Sequence, residues 1–186
     1  MIVFKEKDVS YVAIPMKIHE YLNKGLTDYE SDDNWDAFYT DDKEPTIIAV
    51  DSEFNRATDI MRYSGIFNNL NMNNEDLHAV NNRMKVIFDG TNININEYKY
   101  DIMVLRKDKI FEVRSYGTVL EVYDFDTFGE SRQFGYGIYE NVKHIKNVED
   151  RVREYYEIHS KTSFGDPFPI VLLNTKNKIP VIIERK

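Results

Sequence analysis

Alternating acidic and amide residues in the first third of the sequence are the clearest candidates for metal chemistry. Asp32, Asn34 and Asp36 are spaced two residues apart, and oxygen ligands at that spacing begin the loops that wrap calcium. The rest of such a loop is missing, because Ala37 stands at the position of the turn glycine and Lys43 at that of the bidentate glutamate. We therefore expect no metal site in this segment.

Other common catalytic and cofactor-binding patterns are also missing from the sequence. The four histidines form no pair spaced four residues apart and there is no cysteine, so a zinc site is not expected. No G-x-x-x-x-G-K-[ST] phosphate loop occurs, and Gly135 with Gly137 is too short to be a dinucleotide fingerprint. The sequence predicts no cofactor and no metal.

The segment from Asp28 to Glu44 combines negative charge with large aromatic side chains. It carries eight acidic residues and one basic residue. Disordered tails are poor in aromatics, whereas Tyr and Trp carry binding energy at interfaces and acids steer a basic partner. We predict an exposed acidic excursion at about residues 17–45, which is either a surface loop with no special role or a partner-binding surface formed by Tyr29, Trp35, Asp36, Phe38 and Tyr39.

The composition limits the classes of partner. The chain has 24 basic and 32 acidic residues and a net charge of −8, which repels phosphate backbones, so nucleic-acid binding is not expected. No apolar run approaches the roughly 20 residues that a membrane helix needs, and the first residues do not resemble a signal peptide. We expect a cytoplasmic protein without a membrane partner, and its 186 residues suit one domain, 1–186.

Hydrophobic periodicity predicts blocks of strands that alternate with pairs of helices. For example, Leu77, Val80, Met84 and Ile87 recur at helical spacing and predict one apolar helix face. Helix pairs between blocks of antiparallel strands favour an α+β fold, a four-layer αββα sandwich of two antiparallel sheets flanked by helices. The predicted order is a strand hairpin around Lys7-Asp8, the excursion, a strand at 46–50, helices at about 54–68 and 74–90, strands at 100–106, 109–114 and 118–123, helices at 132–142 and about 148–160, and strands at 170–173 and 181–183.

Local signals refine the two helices near the C-terminus. Gly135 and Gly137 lie inside the first of them, where each costs about 1 kcal/mol relative to Ala. Their presence indicates close packing against another element. Asn147 with Asp150 resembles a capping box, with Asp in place of the usual Glu or Gln, and predicts the start of the second helix.

These segments together resemble the proteasome β-subunit and HslV family of N-terminal nucleophile (Ntn) hydrolases. The similar stretches are the first hairpin over 7–13, the strand and helix from Thr46 to Phe67 and, most specifically, Tyr100 to Val142. In the last stretch Phe128-Gly129-Glu130-Ser131 lies where the family has an apolar-Gly-Ser-Gly corner beside its catalytic cleft. The resemblance covers nearly the whole chain apart from the excursion and implies an Ntn-hydrolase-like fold.

The family's chemistry requires an N-terminal Thr, Ser or Cys whose own α-amine acts as the base in attack on an amide carbonyl. Aligning the first turn places Met1 about two positions beyond that nucleophile, and Ile2 has no nucleophilic atom. The family's Asp at the end of the second strand falls at Pro15. Its oxyanion glycine falls near Ser52, where flanking acids would oppose a developing negative charge.

The remaining supports of the family's cleft are displaced as well. Lys161 and Phe164 stand near the positions of its supporting Asp and Ser, and Lys17 or Lys24 is the candidate for its lysine. The resemblance therefore implies a cleft that is only vestigial and contains no catalytic residue. Its expected members are Ser52, Gly129 and Ser131.

Three functions follow from this interpretation. The leading hypothesis is a catalytically inactive proteasome/HslV-like protein, a pseudoenzyme that acts as an assembly or protein-binding module and associates with itself or with another protein. The second is an active Ntn-fold amidohydrolase or peptidase with a displaced nucleophile, for which Ser10, Ser131 and Ser163 are the candidates. The third is an acidic decoy or inhibitor that binds a basic surface of a host protein through residues 28–44.

Overall fold

The computed structural model describes residues 1–15, 35–52, 55–90, 100–115, 117–128, 132–161 and 166–186, and for residues 35, 52 and 55–58 it describes the backbone alone. The strands in these ranges are β1 (Ile2–Glu6), β2 (Val9–Pro15), β3 (Trp35–Tyr39), β4 (Thr46–Ser52), β5 (Tyr100–Arg106), β6 (Lys109–Arg114), β7 (Val119–Val122), β8 (Phe125–Thr127), β9 (Ile170–Asn174) and β10 (Val181–Ile183). The helices are α1 (Asn55–Tyr63), α2 (Asn74–Gly90), α3 (Arg132–Val142) and α4 (Val148–Ser160). None of these helices has both the length and the apolar character that a membrane span requires.

The strands form two antiparallel sheets of five strands each. The first sheet has the order β10-β9-β2-β1-β8, and the second has the order β3-β4-β5-β6-β7. Helices α3 and α4 pack on the outer face of the first sheet, and α1 and α2 pack on the outer face of the second. This arrangement is the αββα sandwich that the order of elements predicts, so the predicted fold class is confirmed.

A continuous apolar layer between the two sheets holds the sandwich together. Alternate residues of a strand face opposite sides of its sheet, and β5 shows this, since Met103 and Leu105 face the first sheet while Ile102 and Val104 face the helices. The residues of the inter-sheet core are Met1, Val3, Val12, Ile14, Ile47, Ala49, Met103, Leu105, Ile110, Val122, Phe128, Val171 and Leu173.

Helix α2 follows its predicted apolar face with one change at the C-terminal end. Leu77, Val80 and Met84 are buried as predicted, but Phe88 completes the buried face and Ile87 is only half-buried. A repeat of 3, 4 and 4 therefore fits the helix better than one of 3, 4 and 3. Asn73 caps the start of the helix, because its Oδ1 accepts a hydrogen bond of 2.9 Å from the backbone N–H of Asp76.

The two glycines of α3 differ in their surroundings. A Cβ added to Gly135 would lie 2.4 Å from Thr127 Cγ2 and 2.7 Å from the Tyr155 hydroxyl, so this glycine lets α3 approach β8 and α4 closely. A Cβ on Gly137 would meet no described atom within 4 Å. The predicted close packing is therefore confirmed for Gly135, and for Gly137 the described residues show none.

Part of the predicted acidic excursion belongs to the second sheet. Residues 35–39 form β3, which pairs with β4 from Trp35 opposite Asp51 to Tyr39 opposite Ile47. The alternation of Ala37 and Tyr39 toward the inter-sheet core with Phe38 toward the helices explains this strand. The sequence-based boundary at about residue 45 was thus too late, and residues 16–34 lie outside the described part of the chain.

Candidate functional site

Met1, the residue before β1, is enclosed between the two sheets. The side chain of Met1 is 6% exposed and belongs to the inter-sheet core. Its amine nitrogen donates a hydrogen bond of 3.3 Å to the carbonyl oxygen of Phe128, and its own carbonyl accepts from the Phe128 N–H at 2.9 Å. These bonds fix Met1 beside the end of β8, so the residue that opens β1 is held by apolar packing and backbone contacts.

Asp126, Arg132 and Tyr136 form a hydrogen-bonded cluster at the junction of β8 and α3. Asp126 Oδ1 accepts hydrogen bonds from the Tyr136 hydroxyl at 2.6 Å and from the Thr127 N–H at 2.8 Å. Its Oδ2 accepts from Arg132 Nη2 at 2.8 Å. Asp126 is buried. A buried carboxylate is costly unless its charge is hydrogen-bonded, and these three donors supply those bonds.

The other members of this cluster are tied to it electrostatically. The Arg132 guanidinium lies 5.2 Å from the centre of the Phe128 ring, a cation–π distance. Partial burial, followed by the hydrogen bond to Asp126, raises the pKa of the Tyr136 hydroxyl above its ordinary value. Tyr136 is consequently a protonated donor at neutral pH and is not poised to act as a base.

The second sheet contributes a row of charged residues at the same end of the inter-sheet layer. Asp51 pairs with Asp101, and Asp101 pairs with Arg114, so the three stand side by side on adjacent strands. Asp101 shares the strand face of Met103, which points toward the first sheet. Glu112 lies two residues before Arg114 on the same face and is 1% exposed, with Oε1 accepting from Arg114 Nε at 2.7 Å.

Electrostatics link this row to α3. Burial is the largest cause that raises the pKa of the Asp101 carboxyl, followed by the negative charge of Glu112. The positive charges of Arg114 and Arg132 oppose that rise. Because Arg132 belongs to α3 and Asp101 to β5, charges from the two halves of the sandwich act on one another electrostatically. We call this set of residues the inter-sheet mouth: Asp51, Asp101, Glu112, Arg114, Asp126, Arg132 and Tyr136.

The chemistry of the inter-sheet mouth does not suit amide hydrolysis. Four carboxylates and two guanidinium groups give it a net negative charge, which disfavours an oxyanion developing nearby. The hydroxyl of Thr127, next to Asp126 in the chain, lies 3.4 Å from the Met1 carbonyl oxygen and 3.3 Å from the Tyr155 hydroxyl, neither of which is a base that could activate it. Pro15 ends β2, where the resemblance places an acid, and offers no charge. The described part of the chain also contains no group of three or more acidic or histidine side chains arranged to hold a metal ion.

Of the candidate displaced nucleophiles, only Ser10 lies in the described part of the chain. It is fully buried, and its hydroxyl has no hydrogen-bond partner among the described residues. Its backbone N–H donates to Thr175 Oγ1 at 2.9 Å, and Thr175 Oγ1 in turn donates to the carbonyl of Lys107 at 2.6 Å. A nucleophilic serine needs a base in contact with its hydroxyl, and Ser10 has none there.

Several predicted residues of the vestigial cleft and its supports cannot be placed. Ser52 closes β4 opposite Tyr100 in the backbone register, and Lys161 is an exposed residue at the C-terminal cap of α4. The positions outside the described residues are Lys17, Lys24, Tyr29, Gly129, Ser131, Ser163 and Phe164, and the side chains of Trp35 and Ser52 are likewise outside.

The predicted partner-binding residues that the structure does describe lie on the edge strand β3. Phe38 packs against the outer core of the second sheet, and the Arg62 guanidinium lies 5.4 Å from its ring centre. Tyr39 packs on the inter-sheet core and donates to the carbonyl of Asn174 at 3.3 Å, and burial raises its pKa to about 12. Asp36 is half-buried. The two aromatics therefore contribute to the fold as well as to the surface.

The sequence reasoning missed the inter-sheet mouth. One local signal was available, because Arg132 and Tyr136 are spaced four apart in the next helix after Asp126 and therefore lie on the same side of it. The contribution of Asp101 and Arg114 depends on strand register, which a single sequence does not reveal.

Comparisons with known proteins show the fold. No protein-family model matches the sequence, and no curated protein matches it either. Among solved structures, BPH of Thiobacillus denitrificans in complex with epoxomicin is similar over 93% of this chain and 96% of its own, with a TM-score of 0.64 and 14% identity. HslV of Trypanosoma brucei is similar over 93% and 97%, with a TM-score of 0.60 and 9% identity.

A third similar structure is Anbu, the ancestral β-subunit, from Yersinia bercovieri. The likeness covers 98% of this chain and 86% of that one, with a TM-score of 0.59 and 13% identity. All three are proteasome-like structures, and the likeness extends over nearly the whole length of each. The chain therefore has the proteasome-like Ntn-hydrolase fold that the sequence resemblance implies.

Proposed function

We propose that this chain is a catalytically inactive protein of the proteasome and HslV fold that works as an assembly or protein-binding module. The observation that carries the proposal is the environment of Met1. Its thioether side chain is packed in the inter-sheet core just before β1, whereas a hydrolase of this fold relies on a hydroxyl or thiol near the start of its first strand. Apolar packing therefore surrounds the start of β1 in this chain.

The charges around Met1 support the same conclusion. An amide hydrolase stabilises the developing oxyanion with donors aimed at an accessible point. At the inter-sheet mouth, Arg132 and Tyr136 instead direct their donors at Asp126. Their hydrogen-bonding capacity is used to hold β8 and α3 together, which is a structural role.

The binding role is supported by apolar side chains exposed on the outer helices. Tyr63, Val86 and Phe134 are among the exposed large hydrophobic residues, and they lie at the end of α1, on α2 and on α3. Aromatic and aliphatic side chains of this kind provide anchors at protein interfaces. We propose self-association or binding of another protein through these outer surfaces, in the cytoplasm.

A narrower alternative is binding of a basic partner through the acidic segment 28–44. Its support is the position of β3 at the edge of the second sheet, followed by the exposed acids Asp41 and Glu44. Glu44 pairs with Lys107 at 2.9 Å. Pull-down with Asp36→Asn and Asp41→Asn together, beside the same changes at Asp89 and Asp108, tests it. Loss of a captured basic protein in the first variant alone supports this alternative, and an unchanged partner set contradicts it.

A turnover assay tests catalytic inactivity. Purified chain is incubated with a panel of fluorogenic peptide amides, and a Ser10→Ala variant and an Asp126→Asn variant are prepared identically. We expect the same background rate from all three proteins, because none of the altered groups performs catalysis. Hydrolysis well above background that co-purifies with the chain and disappears in either variant would overturn the proposal.

A further inference from the structure

A depression on the outer side of the second sheet lies between the end of α1 and the C-terminal half of α2. Its volume is about 500 Å³, which falls within the roughly 300–1,000 Å³ range of small-molecule sites. Its walls are the turn that follows α1 and one side of α2. We call this depression the α1–α2 cleft, and the side chains that line it are those of Ser64, Ile66, Asn68, Arg83, Val86 and Ile87.

The spacing of residues in α2 brings three of these side chains to the cleft. Arg83, Val86 and Ile87 are separated by three and four residues, so they lie on one side of the helix. Val86 is 71% exposed, and Ile87 and Ile66 are half-buried. The three aliphatic side chains present apolar surface that a bound molecule would remove from water.

Two polar groups of the cleft have unused hydrogen-bonding capacity. Arg83 is exposed and has no ion-pair or hydrogen-bond partner among the described residues, and the same is true of the side-chain amide of Asn68. The Ser64 hydroxyl differs, because it donates to the Met61 carbonyl and accepts from the Ile66 N–H, both at 3.3 Å. The cleft therefore combines a guanidinium and an amide that are available to a ligand with an apolar wall.

We propose that the α1–α2 cleft binds a small organic anion with an apolar body, of which a medium-chain carboxylate is the simplest example. Arg83 pairs with the carboxylate, because the guanidinium fork matches its two oxygens. Asn68 donates to the same group, and the alkyl chain lies against Ile66, Val86 and Ile87. This ligand site goes beyond the protein-binding role proposed above and does not depend on it.

The charges around the cleft favour an anion. Its lining contains one cation and no acidic residue, although the chain carries a net charge of −8. An anion is repelled least where a cation of such a protein lacks a counter-charge. A neutral apolar molecule would leave Arg83 without a partner, and a cation would be repelled by it.

The backbone around the cleft favours a small molecule over a peptide. Residues 83–87 lie inside α2, where N–H and C=O groups bond within the helix. In the turn after α1, the Ser64 N–H donates to Ile60 at 2.9 Å and the Asn68 N–H donates to Gly65 at 3.0 Å. A peptide would find few partners here for its own amides, which is costly. An alkyl carboxylate has no such groups.

Isothermal titration calorimetry of the full chain with decanoate, kept below its micelle concentration, tests the proposal. We expect one site per chain. Arg83→Gln should weaken binding about tenfold, because it removes a charge-assisted hydrogen bond. Lys146→Gln is the matched control, since it removes one exposed positive charge between α3 and α4, and should leave binding unchanged. Equal melting temperatures of the three proteins verify that both variants are folded.

A ligand series on the unaltered chain gives a test that needs no variant. Decanol and decyltrimethylammonium carry the same alkyl chain with a neutral and a positive head. We expect both to bind at least about tenfold more weakly than decanoate, because neither pairs with Arg83. In nuclear magnetic resonance spectra of the backbone amides, decanoate should shift the signals of residues 64–68 and 83–87 most.

The contrary outcomes are distinct. No binding of decanoate overturns the proposal, and so does equal binding of all three amphiphiles, which would reflect adsorption to apolar surface alone. An Arg83→Gln variant that binds decanoate as tightly as the Lys146→Gln control overturns it as well. A short acetylated peptide ending in leucine is the last comparison. Weaker binding of the peptide than of decanoate supports the small-molecule site, and tighter binding that depends on Arg83 overturns it in favour of a peptide site.

Discussion

At the scale of single residues, Gly135 is a position of α3 at which an added side chain would clash with its neighbours. In Gly135→Ala, the new Cβ would lie within 3 Å of both Thr127 and Tyr155, which belong to a buried strand and a packed helix. We predict a loss of unfolding free energy of about 1–3 kcal/mol, typical of overpacking, measured by urea denaturation. Gly137→Ala is the control in the same helix and should gain up to about 1 kcal/mol. Equal stability of the two variants would contradict the packing described for α3.

Asp126 is the residue whose charge organises the inter-sheet mouth. Asp126→Asn keeps the shape but removes the negative charge that holds Arg132 and the Tyr136 hydroxyl. We predict a loss of about 1–3 kcal/mol in unfolding free energy, as for removal of a charge-assisted bond at a buried site.

The same substitution has a spectroscopic consequence. The hydrogen bond and charge of Asp126 both contribute to the raised pKa of Tyr136, so Asp126→Asn should move that pKa back toward its ordinary value. Ultraviolet titration of tyrosinate, with Tyr136→Phe used to assign the signal, measures the shift. An unchanged Tyr136 pKa in Asp126→Asn would show that burial alone perturbs this hydroxyl.

Residue identities alone predicted only part of this site. Two features were predictable by aligning the first hairpin alone: Pro15 stands where an acid is expected, and Met1 lies near the expected nucleophile. The sequence did not show that Asp101 and Arg114 stand opposite each other, which depends on the register of β5 and β6, or that Arg132 acts electrostatically on Asp101, which depends on the packing of α3.

At the scale of elements, the ion pair of Asp42 and Arg106 joins the turn after β3 to the end of β5, and both residues hydrogen-bond the connection between α1 and α2. The Arg106 guanidinium donates to the Asp42 carboxylate and to the carbonyl of Leu70, and its Nε donates to Thr46 Oγ1 at 2.5 Å. Asp42 also accepts from the Asn69 N–H. Asp42 was part of the segment that the sequence predicts to be exposed, yet it is buried, because a guanidinium from a distant strand neutralises it.

Removing one partner of that pair should be strongly destabilising. Arg106→Met leaves Asp42 buried without its counter-charge, and we predict a loss of about 3–5 kcal/mol in unfolding free energy. Lys107→Met is the matched control, because its pair with Glu44 is solvent-exposed and should contribute at most about 1 kcal/mol. Guanidinium denaturation of both variants measures the difference. Similar small losses in the two would mean that the Arg106 pair is no stronger than a surface pair.

The elements themselves were largely predictable, and the exceptions have a physical cause. Helix α4 and its cap followed from local signals, with Asn147 Oδ1 accepting from the Asp150 N–H at 3.0 Å. The strand β3 was missed because its alternation covers only five residues inside an acidic stretch. Its stability comes from pairing with β4, which is information that lies in another part of the chain.

At the scale of the whole molecule, buried tyrosines connect stability to alkaline pH. Burial raises the pKa of Tyr39 to about 12 and also raises those of Tyr100, Tyr139 and Tyr155. In the unfolded chain tyrosine titrates near pH 10. A group with a raised pKa in the folded state stabilises it fully below the unfolded pKa, and that stability is lost as the pH rises toward the folded value. We therefore predict progressive loss of stability between about pH 10 and 12.

A pair of tyrosine variants checks this prediction. Tyr39→Phe removes one buried titrating hydroxyl, so stability should fall less steeply over that range than in the parent chain. Tyr63→Phe alters an exposed tyrosine and should leave the slope unchanged. Circular dichroism with denaturant at each pH gives the slopes. A stability that does not change from pH 9 to pH 12 would contradict the burial of these side chains.

The most direct test of catalytic inactivity is the intact mass of the chain after exposure to epoxomicin, the compound bound in the similar BPH structure from Thiobacillus denitrificans. An active proteasome or HslV preparation treated identically serves as the positive control. We predict that the mass of this chain stays unchanged while the control gains one adduct, because the start of β1 carries a packed methionine and no reactive hydroxyl. A stoichiometric adduct that peptide mapping places on a threonine or serine of this chain would contradict the account.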